Sequence, residues 1–365
     1  MTDKKYWLYL ARISGLESRR RSLLLEIFGS PEEVFRAPRE RLEKVMLLED
    51  YHINQMINSR KIDFERELSV LEEQGIHFVS IEEACFPQRL KEIPDCPHFL
   101  FYKGRLPEED TPSVAIIGSR KCSTYGSSLA GLFAEKLAEC GIMIISGMAA
   151  GIDGYAHRGA LRTGGKTFGI LGSGVDICFP KSNMDIYEAM QKDGGIISEY
   201  YPGQHPSPYN FPQRNRIIAG LSDCVLVTEA CKKSGTSITV GQALEQGKDI
   251  FAIPGRIGDV ISDGCNDLIK NGAFLATEPE DILENLKLKY EQLLKEIKIK
   301  KKKFTKKLDC DEKIVYACLR LLPMHISEIE NSTGINTEKL SGILMNLILK
   351  DLVSEVGTNI YVKKS

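Results

Sequence analysis

Six short apolar runs between residues 114 and 254 dominate the hydrophobic pattern of this chain, and most of them end in glycine or serine. Stretches with apolar residues at helical spacing separate several of these runs. The runs occupy 114–117, 142–146, 167–171, 196–199, 224–228 and 250–254, and the helical stretches occupy 127–140, 153–162, 185–192 and 239–246. Buried strands that alternate with helices predict an α/β fold, with a parallel sheet covered by helices on both faces. Such a sheet binds its ligands at the carboxyl ends of the strands.

The first 75 residues have a different pattern, which predicts a small helical domain. Apolar positions three and four residues apart occur in five segments, at 7–13, 22–28, 31–36, 40–45 and 62–74. The turn ISGL at 13–16 resembles that of a SAM-like or helix-hairpin-helix module, in which backbone N–H groups face a DNA phosphate. Glu17 replaces the second glycine that is usual in such a turn, so we expect a structural or dimerisation role for this domain.

The remaining segments complete the predicted domain organisation. Two short strands at 76–81 and 98–103 lead into the sheet, so the core domain is predicted to span 76–282. Residues 308–365 predict a winged-helix domain, with helices at 312–321, 326–331 and 337–350 and a hairpin of 352–356 and 359–362. The outer face of its third helix offers few of the arginine, asparagine and glutamine side chains that read base edges. We therefore expect an auxiliary or protein-contact role for this domain.

Length and charge distribution refine this division. A chain of 365 residues is expected to form two or three domains. The net charge is only −2, yet residues 287–307 hold ten lysines and two glutamates, which is +8 and leaves about −10 for the remainder. We predict that residues 283–307 form a lysine-rich linker, which is either simply solvated or supports nucleic-acid binding electrostatically.

Cysteine usage and hydropathy indicate the compartment. The ten cysteines form no C-x-x-C pair, which argues against a zinc site and a disulfide framework and suits a reducing cytosol. The first residues lack the apolar segment of a signal peptide, and no apolar run approaches the length of a membrane span. The sequence therefore predicts a cytoplasmic protein without a membrane span.

The stretch FPQRNRIIAG at 211–220, between the fourth and fifth apolar runs, places basic residues beside a segment fit for burial. Arg214 and Arg216 flank Asn215. A guanidinium held on a rigid base donates two parallel hydrogen bonds to a phosphate. The alternative is a helix start with two solvated arginines, and the triplet alone leaves both interpretations open.

Small and basic residues follow several of the predicted strands. The sets are Gly118, Ser119, Arg120 and Lys121 after the first strand, Gly147 after the second, Lys181 and Asn183 after the third, and Ser234, Gly235 and Thr236 after the fifth. With the arginines of 211–220 they predict one basic, glycine-lined crevice suited to a phosphodiester backbone or a nucleotide phosphate. The sequence lacks a P-loop and a dinucleotide fingerprint with its acidic residue, so no cofactor is predicted.

Catalytic chemistry has little support in the sequence. Asp153 and His157 are four residues apart and share a helix face. The carboxylates of Asp176, Glu199 and Glu229 add neither metal-ligand spacing nor a Ser/His/Asp arrangement. The simpler interpretation is that Asp153 caps its helix and bonds His157. We therefore predict no catalytic residue, no metal ion and no enzymatic activity.

Seven motifs occur in order within about 80–281. They are SR at 119–120, SGMAAGIDGYAH at 146–157, LGSGVDICFPKSN at 171–183, SEYYPG at 198–203, FPQRNRIIAGLSD at 211–223, SGTSITVGQALEQG at 234–247 and FAIPG at 251–255. This series resembles the DNA-processing protein A family (DprA, also called Smf). The resemblance implies an extended Rossmann fold, single-stranded DNA binding, a homodimer, and delivery of incoming DNA to the RecA recombinase during natural transformation. It implies no firmly attached catalytic activity.

Position by position, the resemblance implies that Arg120 and Lys181 hold phosphates and that Arg214 and Arg216 line the same groove. The family usually has arginine where this chain has Ala150, so one basic contact is absent, and Lys121 is the candidate to replace it. The full DNA-binding prediction comprises Gly118, Ser119, Arg120, Lys121, Gly147, Lys181, Asn183, Arg214, Asn215, Arg216, Ser234, Gly235 and Thr236. The resulting expectation is a non-enzymatic single-stranded DNA-binding protein that protects incoming DNA and loads RecA.

Two other functions compete with this expectation. A phosphoribohydrolase-like enzyme acting on nucleotides would carry the motif PGGxGTxxE, whereas the corresponding stretch at 231–240 is CKKSGTSITV. A transcription regulator would bind DNA through the C-terminal winged helix, so deletion of 308–365 would abolish its DNA binding.

Overall fold

The computed structural model of the chain describes residues 3–287, 289–290, 308–319, 323–350 and 352–363. Its N-terminal part consists of helices α1 (Lys4–Arg12), α2 (Ser18–Phe28), α3 (Pro31–Arg36), α4 (Arg39–Leu42), α5 (Asp50–Ser59) and α6 (Phe64–Glu73). The local sequence determines where several of these helices begin. The side chains of Asp3, Ser30 and Asp63 accept hydrogen bonds from backbone N–H groups as the N-caps of α1, α3 and α6. The apolar cluster between these helices continues into Phe99 and Phe101 of the core, so the helical part packs directly on the sheet.

A nine-stranded sheet forms the centre of the core, in the order β1-β2-β6-β5-β4-β3-β7-β8-β9. The strands are β1 (His77–Ser80), β2 (Phe99–Gly104), β3 (Ser113–Ile117), β4 (Met143–Ser146), β5 (Thr167–Ile170), β6 (Gly195–Ser198), β7 (Cys224–Val227), β8 (Asp249–Ala252) and β9 (Phe274–Leu275). Strands β3 to β9 run parallel, whereas β2 pairs antiparallel with both β1 and β6. The direction of strand order reverses between β3 and β7, which is where doubly wound sheets bind ligands.

Helices cover both faces of this sheet. They are α7 (Gln88–Lys91), α8 (Thr124–Glu139), α9 (Ile152–Arg162), α10 (Met184–Asp193), α11 (Asn210–Gly220), α12 (Gly235–Glu245), α13 (Asp263–Lys270) and α14 (Pro279–Lys287). Val114 and Ile116 of β3 pack in one apolar cluster with α8 and α9, and Ala115 and Ile117 pack in another with α11 and α12. Burial on both faces explains why the strands are continuous apolar runs rather than alternating ones.

The C-terminal part forms its own small apolar core. Helices Cys310–Cys318, Ile326–Thr333 and Thr337–Leu349 pack with a three-stranded antiparallel sheet in the order β10 (Met324–His325), β12 (Ile360–Lys363), β11 (Val353–Gly357). The predicted three helices and hairpin are therefore present, and the winged-helix assignment stays a prediction.

The predicted α/β class and parallel sheet are confirmed, but several elements were not predicted. These are α5, α7, α13, β9 and β10, and the sequence leaves open whether 211–220 is helical. Helix α14 crosses the predicted boundary at 282, because Leu286 is buried against the core. Beyond the end of α14, the predicted linker lies outside the described residues except for Lys289 and Tyr290.

Within the described part of the chain, no helix has both the length and the apolarity needed to cross a membrane.

Candidate nucleic-acid interface

A crevice lies at the carboxyl ends of the parallel strands, where the strand order reverses between β3 and β7. A cavity of about 710 Å³, the large chamber, is lined by the loop after β3 and the start of α12. An adjoining cavity of about 160 Å³, the small chamber, lies beside the loops after β4 and β5. Arg120, Ala149 and Phe211 border both chambers. The structure thus brings most of the predicted strand-end loops together.

The loop after β3 is anchored by Glu229, a buried residue two positions beyond the end of β7. Its carboxylate accepts hydrogen bonds from Ser123 N and Ser123 Oγ, each at 2.7 Å. Its carbonyl oxygen accepts a further bond from Ser119 N, also at 2.7 Å. The two loops that flank the reversal are therefore tied together by one acidic residue.

Gly118 lets this loop lie close to its neighbours. A Cβ at Gly118 would be 2.6 Å from Ile152 Cγ1 and 2.8 Å from the carbonyl oxygen of Glu229, so no side chain fits. Directly after this close contact the loop exposes Arg120 and Lys121. A tightly packed loop with an exposed basic end can hold cations in fixed positions without burying them.

Arg120 lies over an aromatic ring at the border of the two chambers. Its guanidinium carbon is 5.0 Å from the ring centroid of Phe211, at cation–π distance. The ring of Phe179 stacks on that of Phe211, with centroids 6.1 Å apart and planes 28° apart, and Phe179 remains 46% exposed. In the described part of the chain Arg120 makes no ion pair, so its charge is available to a ligand.

Arg214 lies beneath the crevice and binds backbone rather than solvent. Its Nη1 donates to Gly147 O at 2.5 Å and also to Ile170 O, which joins the ends of β4 and β5. A Cβ at Gly147 would lie 2.7 Å from that nitrogen, so a larger residue there would displace the guanidinium. Burial lowers the pKa of Arg214 to about 10, opposed by the nearby carboxylate of Asp153. The side chain lines the large chamber as a buried charge that organises the strand ends.

Arg216 does not line either chamber, contrary to the expectation from sequence. Its Nη2 donates to Glu199 Oε2 at 2.6 Å and its Nε to Asp95 Oδ2 at 2.9 Å. Arg21 of α2 donates to the other oxygen of Glu199 at 2.7 Å. Burial alone would raise the pKa of Glu199, but Arg216 and Arg21 outweigh it and lower that pKa to about 2. Arg216 thus joins α11 to the helical domain, and both arginines of the triplet are buried rather than solvated.

The two predicted residues of the turn Lys181–Asn183 have different environments. Asn183 is buried, and its amide donates to Met148 O at 3.0 Å and to Ala149 O at 3.1 Å. It therefore shapes the loop after β4 instead of offering its amide to a ligand. Lys181 is exposed, and its contact with phosphate stays a prediction.

The start of α12 borders the large chamber with Ser234, Gly235 and Thr236, as does Asn215 of α11. Thr236 and Asn215 are buried, with exposed fractions of 8% and 9%. These predicted residues therefore meet Gly118, Ser119, Arg120 and Lys121 around one cavity, and their contact with DNA stays a prediction.

The Asp153 and His157 side chains are structural. Asp153 Oδ2 accepts hydrogen bonds from Gly147 N at 3.1 Å and Ala149 N at 3.4 Å, while burial raises the pKa of Asp153. His157 Nδ1 bonds Thr167 Oγ1 at 2.7 Å, not Asp153 as expected, and burial lowers the pKa of His157 to about 3. Among the described residues, no group of three His, Cys, Asp or Glu side chains could hold a metal ion.

Backbone N–H groups of the glycine turn in the N-terminal domain are already hydrogen-bonded within that domain. Ser14 N donates to Gln55 Oε1 at 3.1 Å, Leu16 N to Ile13 O at 3.3 Å, and Glu17 N to Gly15 O at 3.1 Å. These three donors are not available to a phosphate, which agrees with a structural role for the turn.

Sequence reasoning missed the anchoring role of Glu229 and the position of Phe211 between the chambers. An acidic residue directly after a buried strand, together with a serine-capped helix at the neighbouring strand end, is the signal that could have indicated the first. The position of Phe211 depends on where α11 begins, which the local pattern left open.

Comparison with known proteins gives consistent matches. Residues 77–287 match the family DNA recombination-mediator protein A. The chain is 38% identical over 294 residues to the DNA processing protein DprA of Streptococcus pneumoniae, which covers 78% of this chain and 98% of that protein. It is 43% identical over 223 residues to the protein Smf of Escherichia coli, which covers 61% of this chain and 60% of that protein.

Solved structures agree with these matches. The crystal structure of the Streptococcus pneumoniae DprA superimposes with a TM-score of 0.66 at 37% identity, over 78% of this chain and 98% of that one. A DprA structure from Helicobacter pylori, described for its single-stranded DNA binding mode, gives a TM-score of 0.53 at 30% identity, over 58% of this chain and 97% of that one. The family match at 77–287 includes all residues that line the two chambers, and the stretch 211–220. The chain therefore belongs to the DNA recombination-mediator protein A family, whose curated members are named DprA or Smf.

Proposed function

We propose that this protein binds single-stranded DNA in the crevice without acting on it chemically. The observation that carries the proposal is Arg120, an exposed guanidinium held over an aromatic ring by a rigid loop and not paired with any described carboxylate. A free, preorganised guanidinium suits a phosphodiester. The partly exposed ring of Phe179 lies beside it and suits stacking of an unpaired base. The Helicobacter pylori relative, described for its single-stranded DNA binding, supports the same ligand here.

A binding role also fits the ionisable groups around the crevice. Glu229 is occupied with Ser123, Asp153 accepts backbone N–H groups, and His157 is buried with a low pKa. None of the three is arranged to move a proton to or from a ligand. Release of free base from nucleoside monophosphates by the purified protein would contradict a non-enzymatic role and favour a phosphoribohydrolase-like activity.

Filter binding with a dT oligonucleotide, repeated over a range of salt concentrations, tests the assignment. Arg120→Ala is expected to weaken binding about tenfold and to lower the salt slope by about 0.7, the value for one single-strand phosphate contact. Arg162→Ala is the matched control, because Arg162 is exposed near the end of α9 away from the crevice. Equal affinity and equal salt slope for wild type and Arg120→Ala would refute the site.

We further propose that the bound strand is incoming DNA in the cytoplasm, which the protein protects and delivers to RecA. Membership of the family supports this step. The test measures ATP hydrolysis by RecA on single-stranded DNA precoated with single-strand-binding protein. Addition of this protein should shorten the lag before hydrolysis, and an unchanged lag would contradict recombinase loading.

A homodimer is part of the same proposal. Strand β9 lies at the edge of the sheet, and its Phe274 and Leu275 are 50% and 49% exposed. An exposed apolar edge strand is unusual in a monomer, because it can pair with another chain. Sedimentation should therefore show a dimer for the wild type and a shift toward monomer for Leu275→Glu, whereas a monomeric wild type would contradict it.

A further inference from the structure

Two helices begin at the reversal of strand order, and their N-termini are satisfied differently. The N-terminus of α8 is occupied by the protein's own carboxylate, because Glu229 accepts from Ser123 N and Oγ at 2.7 Å. Ser123 Oγ in turn accepts from Gly126 N at 3.0 Å as the N-cap. A carboxylate at this position matches the partial positive charge of a helix start.

The N-terminus of α12 has no such partner in the described part of the chain. Ser234 is its N-cap residue but makes no side-chain capping bond. Its Oγ is buried and has no hydrogen-bond partner among the described residues. A serine N-cap normally accepts from the second or third N–H of its helix, so this helix start keeps donors that an external anion can use.

Buried polar side chains beside this helix start provide an independent indication of a ligand. Asn215, Thr236 and Thr239 all line the large chamber and are 9%, 8% and 4% exposed. Asn215 accepts through Oδ1 from Arg214 Nε at 3.3 Å, while its amide nitrogen and the two threonine hydroxyls make no hydrogen bond with a described residue and line the cavity. Ser234 Oγ is itself buried without a partner, and buried polar atoms are nearly always hydrogen-bonded, so this group of polar side chains around one cavity indicates a polar ligand.

Size and charge of the large chamber narrow the ligand class. Its volume of about 710 Å³ falls in the range of small-molecule sites, about 300–1,000 Å³. Ile117, Ile218 and Ile238 provide apolar wall, while Lys121 stands at the rim. A terminal phosphate monoester carries about −1.5 to −2 charge and three acceptor oxygens, so it uses a helix start and a serine hydroxyl better than an internal diester does.

We propose that the large chamber binds a nucleoside 5′-monophosphate unit, with its terminal phosphate at Ser234 and the first N–H groups of α12. The unit is either a free nucleotide or the phosphorylated 5′ end of a strand, and the second case rests on the proposed strand-binding function. In that case the next phosphate along the strand lies at Arg120, which borders both chambers. The crevice then distinguishes a strand end from a strand interior.

The full-length protein is titrated with dT20 carrying a 5′-phosphate, with 5′-hydroxyl dT20, and with thymidine 5′-monophosphate against thymidine. We expect the 5′-phosphate to strengthen dT20 binding about tenfold, as a charge-assisted contact would. Thymidine monophosphate should bind and thymidine should not. Ser234→Ala and Thr236→Val should each lower the ratio of the two dT20 affinities from about tenfold to about twofold, whatever either change does to strand binding itself.

Thr163→Val is the matched control, because Thr163 follows the end of α9 and bonds Ala160 O away from the crevice. Binding of thymidine monophosphate without a 5′-end preference would assign the chamber to free nucleotides. Equal affinity for both dT20 forms together with no binding of thymidine monophosphate would overturn the inference but leave strand binding intact. Failure of every oligonucleotide to bind would instead refute the proposed function.

Discussion

The buried triad of Arg21, Glu199 and Arg216 permits a quantitative prediction for Glu199→Gln. Glu199 follows β6 and is 7% exposed, with Arg21 from the helical domain on one carboxylate oxygen and Arg216 from α11 on the other. Glutamine has nearly the same shape but leaves two buried guanidinium groups without their shared counter-charge. Removal of one partner from a buried ion pair lowers the free energy of unfolding by about 3–5 kcal/mol.

The pKa of Glu199 gives a second estimate of the stability lost in Glu199→Gln. Burial opposes ionisation, yet Arg216 and Arg21 lower the pKa from 4.5 to about 2. Since each pKa unit is worth about 1.4 kcal/mol, the ionised state contributes about 3 kcal/mol to folding. Because the folded pKa is the lower one, this contribution is fully present above about pH 4.5 and is lost as the pH falls toward 2.

Urea denaturation of wild type and Glu199→Gln, followed by tryptophan fluorescence of Trp7, measures the free energy of unfolding. At pH 7 the variant should be less stable by about 3 kcal/mol, and the difference should shrink between pH 4.5 and 2. Glu188→Gln is the control, because Glu188 is exposed on α10 and should change stability by less than about 0.5 kcal/mol. A variant as stable as wild type at pH 7, or a difference independent of pH, would refute the reasoning.

Two further predictions concern DNA binding. Ala150→Arg places a cation at the small chamber beside Arg120, so it should strengthen binding of a dT oligonucleotide about fivefold and raise the salt slope by about 0.7. The neutral control Ala150→Gln should not do so, and equal gains for both would show that charge is not the cause. Deletion of 308–365 should leave filter binding of the same oligonucleotide within about threefold, because the crevice lies wholly in the core. Loss of binding on deletion would favour a role of the C-terminal domain in DNA contact.

The order of strands and loops was predictable from the sequence because burial on both faces requires continuous apolar runs. Runs such as 114–117 and 224–228 have no alternation, and their position directly before Gly118 and Glu229 placed the strand-end loops at one edge of the sheet. Helix α5 and strand β9 were missed because their apolar residues are few and β9 has only two residues, both about half exposed.

The roles of the arginines at 214 and 216 were decided by tertiary structure alone. An α-helix turns 100° per residue, so side chains two positions apart point about 200° from each other. On α11 this directs Arg214 to the carbonyl oxygens of Gly147 and Ile170, and Arg216 to Glu199 and Asp95 on another side. The sequence by itself determined that this stretch is basic, partly buried and typical of the family. Which of its cations faces the crevice depended on the helix phase and on acidic partners more than ten residues away, and only the folded chain supplies both.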